Sequence, residues 1–421
     1  MTKLKGLVSS ASLLAATAMV TVGLLSGASA QEQVTLQFVR PGSPEKVQQV
    51  YQPILDAFMA ANPNIKVEAT YMGFDEMLQR MPLAAATGKL PDVFMAPGLL
   101  FTPLAANNVL MPLGDSIPAE LKADISQPYW DAATWNGQIV GIPAVVGPLA
   151  LWYNADIFTA AGLDPENPPK TWDELVAAAQ AITDKTDAAG IGIYGFKRND
   201  VTDELGAVVQ SNTDTWYWDT DNQQIRSPNT DVVTGLQFMV DLVQKYQVTQ
   251  PNVDAYSSDD LRGMLRDGAV GMIISSPPTL AVVGNDPKFR VAPMPAGPSG
   301  KRSAAVNLDP WVVSANTQHP EEAKKLLWFL SNAESVSAAA TGYGTLPPLT
   351  SLLKSDPLYT TGIWPAFVEA VSGTFYPTKP ITPQMSLSQD QIPDMAQRAL
   401  TAKMTPEESL AALSKLFGWS Q

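Results

Sequence analysis

The stretch V-T-L-Q-F-V at residues 34–39, with the turn Arg40-Pro41-Gly42-Ser43 behind it, sets the architecture of the chain. Its apolar and polar side chains alternate, the period of a strand with one face buried. Beyond the turn, apolar residues recur at Val47, Val50, Tyr51, Ile54, Leu55 and Phe58, the spacing that lines one face of a helix. Ser43 stands where an N-cap oxygen is wanted, and Pro44 occupies the first helical position, where a missing N–H costs nothing. Asn62-Pro63-Asn64 ends the helix, and Ile65, Val67, Ala69 and Tyr71 alternate as a second strand. A second helix is expected near Glu76 to Ala86, stopped by Gly88, and Pro91 leads into a third strand, Asp92-Val93-Phe94-Met95. Strand, helix, strand, helix, strand predicts a parallel sheet covered by helices. Ligands of such sheets lie beyond the carboxyl ends of the strands, which is where the Arg40–Ser43 loop falls.

The same style continues downstream. Leu149 to Asn154 reads as an apolar, aromatic strand. Thr171 and Glu174 form a T-x-x-E capping box opening a helix through Leu175, Ala178, Ala179 and Ile182, each side chain satisfying a free backbone N–H of the other. Ile191 to Phe196 reads as a strand, Asp231 to Tyr246 as a helix, and Ala269 to Ile274 as a buried strand running into Ser275 and Ser276. Helices are also expected from Glu321 to Leu330 and after Thr405-Pro406-Glu407-Glu408, a second capping box. The fold class is α/β.

The amino terminus and the composition narrow the function. Lys3 and Lys5 precede a short apolar stretch from Ala11 to Leu25, and Ala28-Ser29-Ala30 supplies a small-residue exit. That pattern predicts a secretory signal peptide over residues 1–30, cleaved after Ala30, and a periplasmic mature chain. Removing it takes away two lysines and no acid, moving the formal charge from −14 to −16. An acidic balance argues against a nucleic-acid partner, which would want a basic face. The 421 residues are enough for two domains. There is no cysteine, so disulfides, thiolate metal sites and a thiol nucleophile are excluded. The single histidine, His319, precedes Pro320-Glu321-Glu322 and reads as an exposed helix-start residue, leaving a Ser-His-Asp triad little to build on. No metal and no cofactor are expected.

Five segments in order carry a family resemblance. Residues 85–93 read A-A-T-G-K-L-P-D-V, and residues 152–178 contain Y-N-A-D-I-F, A-G-L and P-K-T-W-D-E-L. Residues 263–274 read G-M-L-R-D-G-A-V-G-M-I-I, residues 320–331 read P-E-E-A-K-K-L-L-W-F-L-S, and Tyr343 with Pro347 follows. This set resembles the family 1 extracellular solute-binding proteins, the group of the maltose- and glycerol-3-phosphate-binding proteins. The resemblance implies a two-lobed periplasmic binding protein fold with a hinge and a ligand cleft between the lobes. It implies a first lobe of residues 31–147 and 291–344, and a second of 148–290 and 345–421. It also implies a substrate-binding role: a small sugar, polyol or sugar-derived anion is captured and passed to the ABC permease subunits of the inner membrane, with the binding protein acting as a monomer. One feature departs from the pattern: where members often carry Gly-Gly, this chain reads Val306-Asn307-Leu308-Asp309-Pro310-Trp311.

Candidate ligand-binding residues follow from strand ends. Arg40 and Ser43 follow the first strand, Phe74 and Asp75 the second, and Ser275 and Ser276 the G-M-I-I strand. Asn307, Asp309 and Trp311 occupy the Gly-Gly place, Tyr343 resembles a cleft residue by position, and Trp216 and Trp218 offer faces for stacking on a sugar. Each has a plainer reading: tryptophans fill cores, Asp75 caps its helix, and Arg40 is a surface residue beside a carboxylate. If Arg40 instead lines the cleft, it would pair with a carboxylate, phosphate or sulfonate. Two other roles share these features: a secreted carbohydrate-active enzyme, which needs two carboxylates across a cleft, and a sensor that presents its solute to a receptor.

Overall fold

The computed structural model describes residues 33–417, except 196–198, 214–217, 220–223, 226–229, 301–303, 373–374 and 378–384. The expected signal peptide lies outside the described residues. The opening pattern folds as its periodicity requires. β1 (Val34–Pro41), β2 (Ile65–Met72) and β3 (Val93–Met95) are parallel neighbours, with β1 between the other two. The helix Pro44–Ala61 buries Val47, Tyr51, Ile54, Leu55 and Phe58. Ser43 is its N-cap residue, but its hydroxyl makes no cap bond and instead donates to the Glu45 carboxylate at 3.4 Å.

β4 (Thr134–Trp135) and β5 (Gln138–Ile139) form a short hairpin. β6 (Ile142–Pro148) and β7 (Ala150–Asn154) follow in direct succession, separated by Leu149 alone, and belong to different sheets. β8 (Ala189–Gly192) is followed by the small hairpin of β9 (Trp218–Asp219) and β10 (Gln224–Ile225). β11 (Val270–Ser275) and β12 (Phe289–Ala292) complete a four-stranded sheet of order β12-β7-β11-β8. β13 (Ala304–Val313) returns to the first sheet, which reads β14-β13-β3-β1-β2 with β6 also paired to β13, and β14 is Phe375–Pro377.

The chain therefore passes between two α/β units at Leu149, between β12 and β13, and again after β14. β14 pairs in parallel with Ala304–Val306 in the first sheet, although it falls within residues 345–421, the stretch that the family resemblance assigns to the second lobe. A strand of three residues has too few positions to show a period, so its pairing is invisible in sequence. The helix Met385–Leu400 then packs with the helices Asn199–Gln210, Thr230–Gln244 and Pro406–Phe417 of the second unit, and also touches the first-unit helix Gly98–Ala106.

Both helices opened by capping boxes form. Thr405 and Glu408 exchange bonds in full, at 3.2 and 3.0 Å. Thr171 accepts from the Glu174 N–H at 3.2 Å, while the Glu174 carboxylate reaches the Lys170 N–H at 2.7 Å rather than that of Thr171. The helix Trp364–Ser372 touches β6 and β13 of the first sheet and β7 and β12 of the second, with Phe367 fully buried 5.9 Å from the ring of Trp152. Among the described residues no helix is long and apolar enough to cross a membrane.

Candidate ligand-binding site

The carboxyl ends of β1, β2 and β3 carry the loops that begin at Pro41, Met72 and Met95. Arg40, opposite Tyr71 in the register of β1 and β2, is only 3% exposed. It shares a strand face with Phe38, since alternate residues point the same way. Its guanidinium lies 4.1 Å from the ring centre of Tyr343 and 5.2 Å from that of Tyr51. Such stacking contributes roughly 0.5–2 kcal/mol per ring once desolvated. One terminal nitrogen, Nη1, donates to the Pro41 carbonyl. Nε and the Tyr343 hydroxyl are both buried without a partner. Burial raises the Tyr51 phenol above its usual range, opposed by Arg40. Burial likewise pushes Tyr343 up to about 12, again opposed by Arg40.

Gly42 makes this arrangement possible. Its φ is +138°, and a Cβ there would fall 2.8 Å from Arg40 Nη1, 2.8 Å from Val47 Cγ2 and 3.3 Å from the Tyr343 hydroxyl. Any other residue would collide with the guanidinium and sit in a backbone conformation that side chains rarely adopt.

β13 supplies the second set. Asn307 and Asp309 are half-buried. Asn307 donates from Nδ2 to the Asp203 carboxylate at 3.4 Å, joining β13 of the first unit to the helix Asn199–Gln210 of the second. Asp309 accepts from the Gly98 N–H at 3.3 Å, at the start of the helix that follows β3. The register shifts between Asp309 and Pro310, and a bulge of this kind exchanges the two faces of a strand. Val306 and Leu308 precede the shift and Trp311 and Val313 follow it, yet all four lie in one core cluster. Trp311 therefore points away from the side taken by Asn307 and Asp309. It is 2% exposed, with its ring 5.4 Å from Phe38 and 5.5 Å, edge-on, from Tyr51. It packs as core and presents no face to a solute.

The remaining candidates are dispersed. Ser43 is exposed. Phe74 opens the helix Phe74–Ala86 and is 46% exposed. Asp75 is the second residue of that helix, whose N-cap is Gly73. On the second sheet, Ser275 is buried, and its hydroxyl oxygen accepts from Thr279 at 2.7 Å and from Arg262 Nε at 3.4 Å. Ser276 is half-buried and precedes the short turn Pro277–Thr279. Trp216 lies outside the described residues, and Trp218 is placed only as backbone in β9. The structure thus brings Arg40 and Tyr343 together and sets Asn307 against the second unit.

Three further residues were not singled out from sequence. Tyr51 belonged to an apolar helical stripe, which carries no sign of a polar duty. Asp203 and Tyr194 depend on tertiary packing: the Tyr194 N–H donates to Glu204 at 2.8 Å and its hydroxyl to the Ile274 carbonyl at 2.7 Å, tying the ends of β8 and β11 together. Among the described residues no group of three His, Cys, Asp or Glu could hold a metal ion.

Known proteins resemble this chain over most of its length. The solute-binding protein of Thermotoga lettingae bound with α-D-tagatose is 26% identical, with a TM-score of 0.77 over 91% of this chain and 98% of that one. A binding protein of Brucella abortus is 26% identical over 319 residues, covering 73% of this chain and 74% of its own. The sn-glycerol-3-phosphate-binding periplasmic protein of Escherichia coli is 32% identical over 170 residues, 38% of each chain. These relatives are binding proteins, and the two-lobed architecture expected from sequence is that of the solved neighbours. The model of the bacterial extracellular solute-binding proteins matches residues 42–336, from the loop beside Arg40 into the helix Ala333–Tyr343, the second after β13, and the chain belongs to that family.

Proposed function

We propose that this protein is the periplasmic substrate-binding component of an ABC import system. It captures a small carbohydrate or sugar-derived solute between its lobes and delivers it to the membrane permease. The observation that carries this reading is the meeting of the two units at the strand ends. Asn307 of the first unit bonds to Asp203 of the second, next to the Leu149 passage, where the Leu149 N–H donates to the Ala305 carbonyl at 2.9 Å. A solute held between such units is buried when they close on it, the hinge motion by which periplasmic binding proteins enclose their ligands. The tagatose bound to the Thermotoga relative supports a saccharide, and the periplasmic site of the Escherichia coli relative supports export, with cleavage proposed after Ala30 from the Ala28-Ser29-Ala30 pattern. On this reading the mature chain works as a monomer and makes no product. Hinge segments are proposed at residues 145–149 and between β12 and β13.

Titration calorimetry of the mature protein against sugars, polyols and sugar acids, with chromatography of the recovered solute, tests the reading. One-to-one binding with the solute recovered unchanged is expected. Hydrolysis of a glycoside would replace the binding reading with an enzymatic one, and the absence of binding across the panel would remove the saccharide.

A further inference from the structure

We infer that Arg40 is a positioning residue: it stays out of contact with the solute and clasps the loop after β1 to the strand that leads into the first passage between the units. This rests on the solute-binding reading and assigns a task within it. The guanidinium is enclosed. The Tyr343 ring centre lies 4.1 Å from it and the Tyr51 ring centre 5.2 Å. Nη1 donates to the Pro41 carbonyl, and the Tyr51 hydroxyl is a further hydrogen-bond partner. The residue is 3% exposed, with Nε buried. Around Nη1 the backbone closes in: a Cβ on Gly42 would stand 2.8 Å from it and 2.8 Å from Val47 Cγ2. No room is left there for a solute oxygen.

What the clasp holds is the end of the helix Ala333–Tyr343. Tyr343 is its last residue, and Gly344 caps it in the left-handed region at φ +65°. One residue earlier, Gly342 packs so closely on the helix Pro44–Ala61 that a Cβ there would fall 2.7 Å from Val50 Cγ2. Two residues beyond the cap, the Leu346 N–H donates to the Val146 carbonyl of β6 at 3.2 Å, and both residues are fully buried. β6 ends at Pro148, and Leu149 is the passage itself. A single run of contacts therefore joins the β1 loop, the helix end and the hinge segment 145–149. A guanidinium suits this task because its flat faces stack on rings while its edge N–H groups hydrogen-bond, which a lysine ammonium does not do.

Coupling along such a run is demonstrated at its far end. Hydrogen exchange is therefore followed at the Leu346 N–H of the mature protein without solute. The reference is the Met111 N–H, which donates to the Val313 carbonyl at 2.8 Å elsewhere in the first unit. Arg40→Lys keeps the charge and loses the flat face, and should speed exchange at Leu346 about tenfold relative to Met111. Because this variant risks misfolding, Tyr343→Leu serves as the second and should do the same, while Tyr343→Phe keeps the ring and should retain the wild-type ratio. Calorimetry with D-tagatose, maltose and galacturonate separates positioning from contact: Arg40→Lys should weaken every probe that binds by a similar factor of about ten. A ratio unchanged in both Arg40→Lys and Tyr343→Leu would overturn the inference. So would a rise of both rates together, the mark of a general loss of stability, or an affinity loss confined to the anionic probe. Each of these results leaves the solute-binding reading intact. A wild-type protein that binds none of the three probes would overturn that reading, and the task of Arg40 within it.

Discussion

Trp311 and Asn307 stand four residues apart on β13 and face opposite ways. An uninterrupted strand would have put Asn307, Asp309 and Trp311 on one face, and that is how the sequence reads. The register shift before Pro310 belongs to the pairing of β13 with β6, and its one local sign is Pro310 itself, which has no N–H to give to a ladder. Trp311→Ala should therefore cost about 3–5 kcal/mol of folding stability, as for other buried aromatics, read as a lower urea midpoint with an unchanged slope. A ligand-contact role for Trp311 would instead show as lost affinity at unchanged stability. The phenols of the same cluster give a pH prediction. Tyr343 is held up to about 12, while a tyrosine in the unfolded chain titrates near 10. The folded state thus keeps its proton more tightly. The associated stability is complete below about pH 10 and is lost as pH rises toward about 12. Melting temperature should fall across that window, and less steeply in Tyr343→Phe.

At the scale of elements, the opening of the first unit and two helix starts of the second were legible. Alternation marked β1 and β2, the three-and-four spacing marked the helix Pro44–Ala61, and both capping boxes sit at helix starts. These features are local, set by side chains within a few residues of one another. What escaped was non-local: β14, three residues long, exists only through β13. The candidate site divides the same way. Its strand-end loops were predictable, but the Tyr51–Arg40–Tyr343 stack joins a strand and the face of the helix after it to a helix end far downstream. The turn at Gly42 holds that stack open. Gly42→Ala places a Cβ 2.8 Å from both Arg40 Nη1 and Val47 Cγ2 at φ +138°, and backbone strain of this kind costs roughly 1–3 kcal/mol before any collision is counted. The variant should melt lower than the wild type and should also lose solute affinity, since the guanidinium must move. A melting temperature equal to the wild type would show that the turn is not under this constraint.

At the scale of the whole molecule, the chain passes between the two units three times, so the lobes are joined by several segments and neither is contiguous in sequence. Connections of that kind permit bending between rigid bodies more readily than their separation. Solute binding is expected to close the lobes, and an interlobe distance reads that closure out. The chain has no cysteine, so a Gln48→Cys, Lys403→Cys double variant takes spin labels at those positions alone; both native side chains are exposed, one on the first unit and one on the second. Pulsed electron resonance with and without a solute that calorimetry shows to bind should give a shorter and narrower distance distribution in the bound state. An identical distribution at saturating solute would contradict closure, and with it the hinge mechanism by which this protein is proposed to hold what it carries.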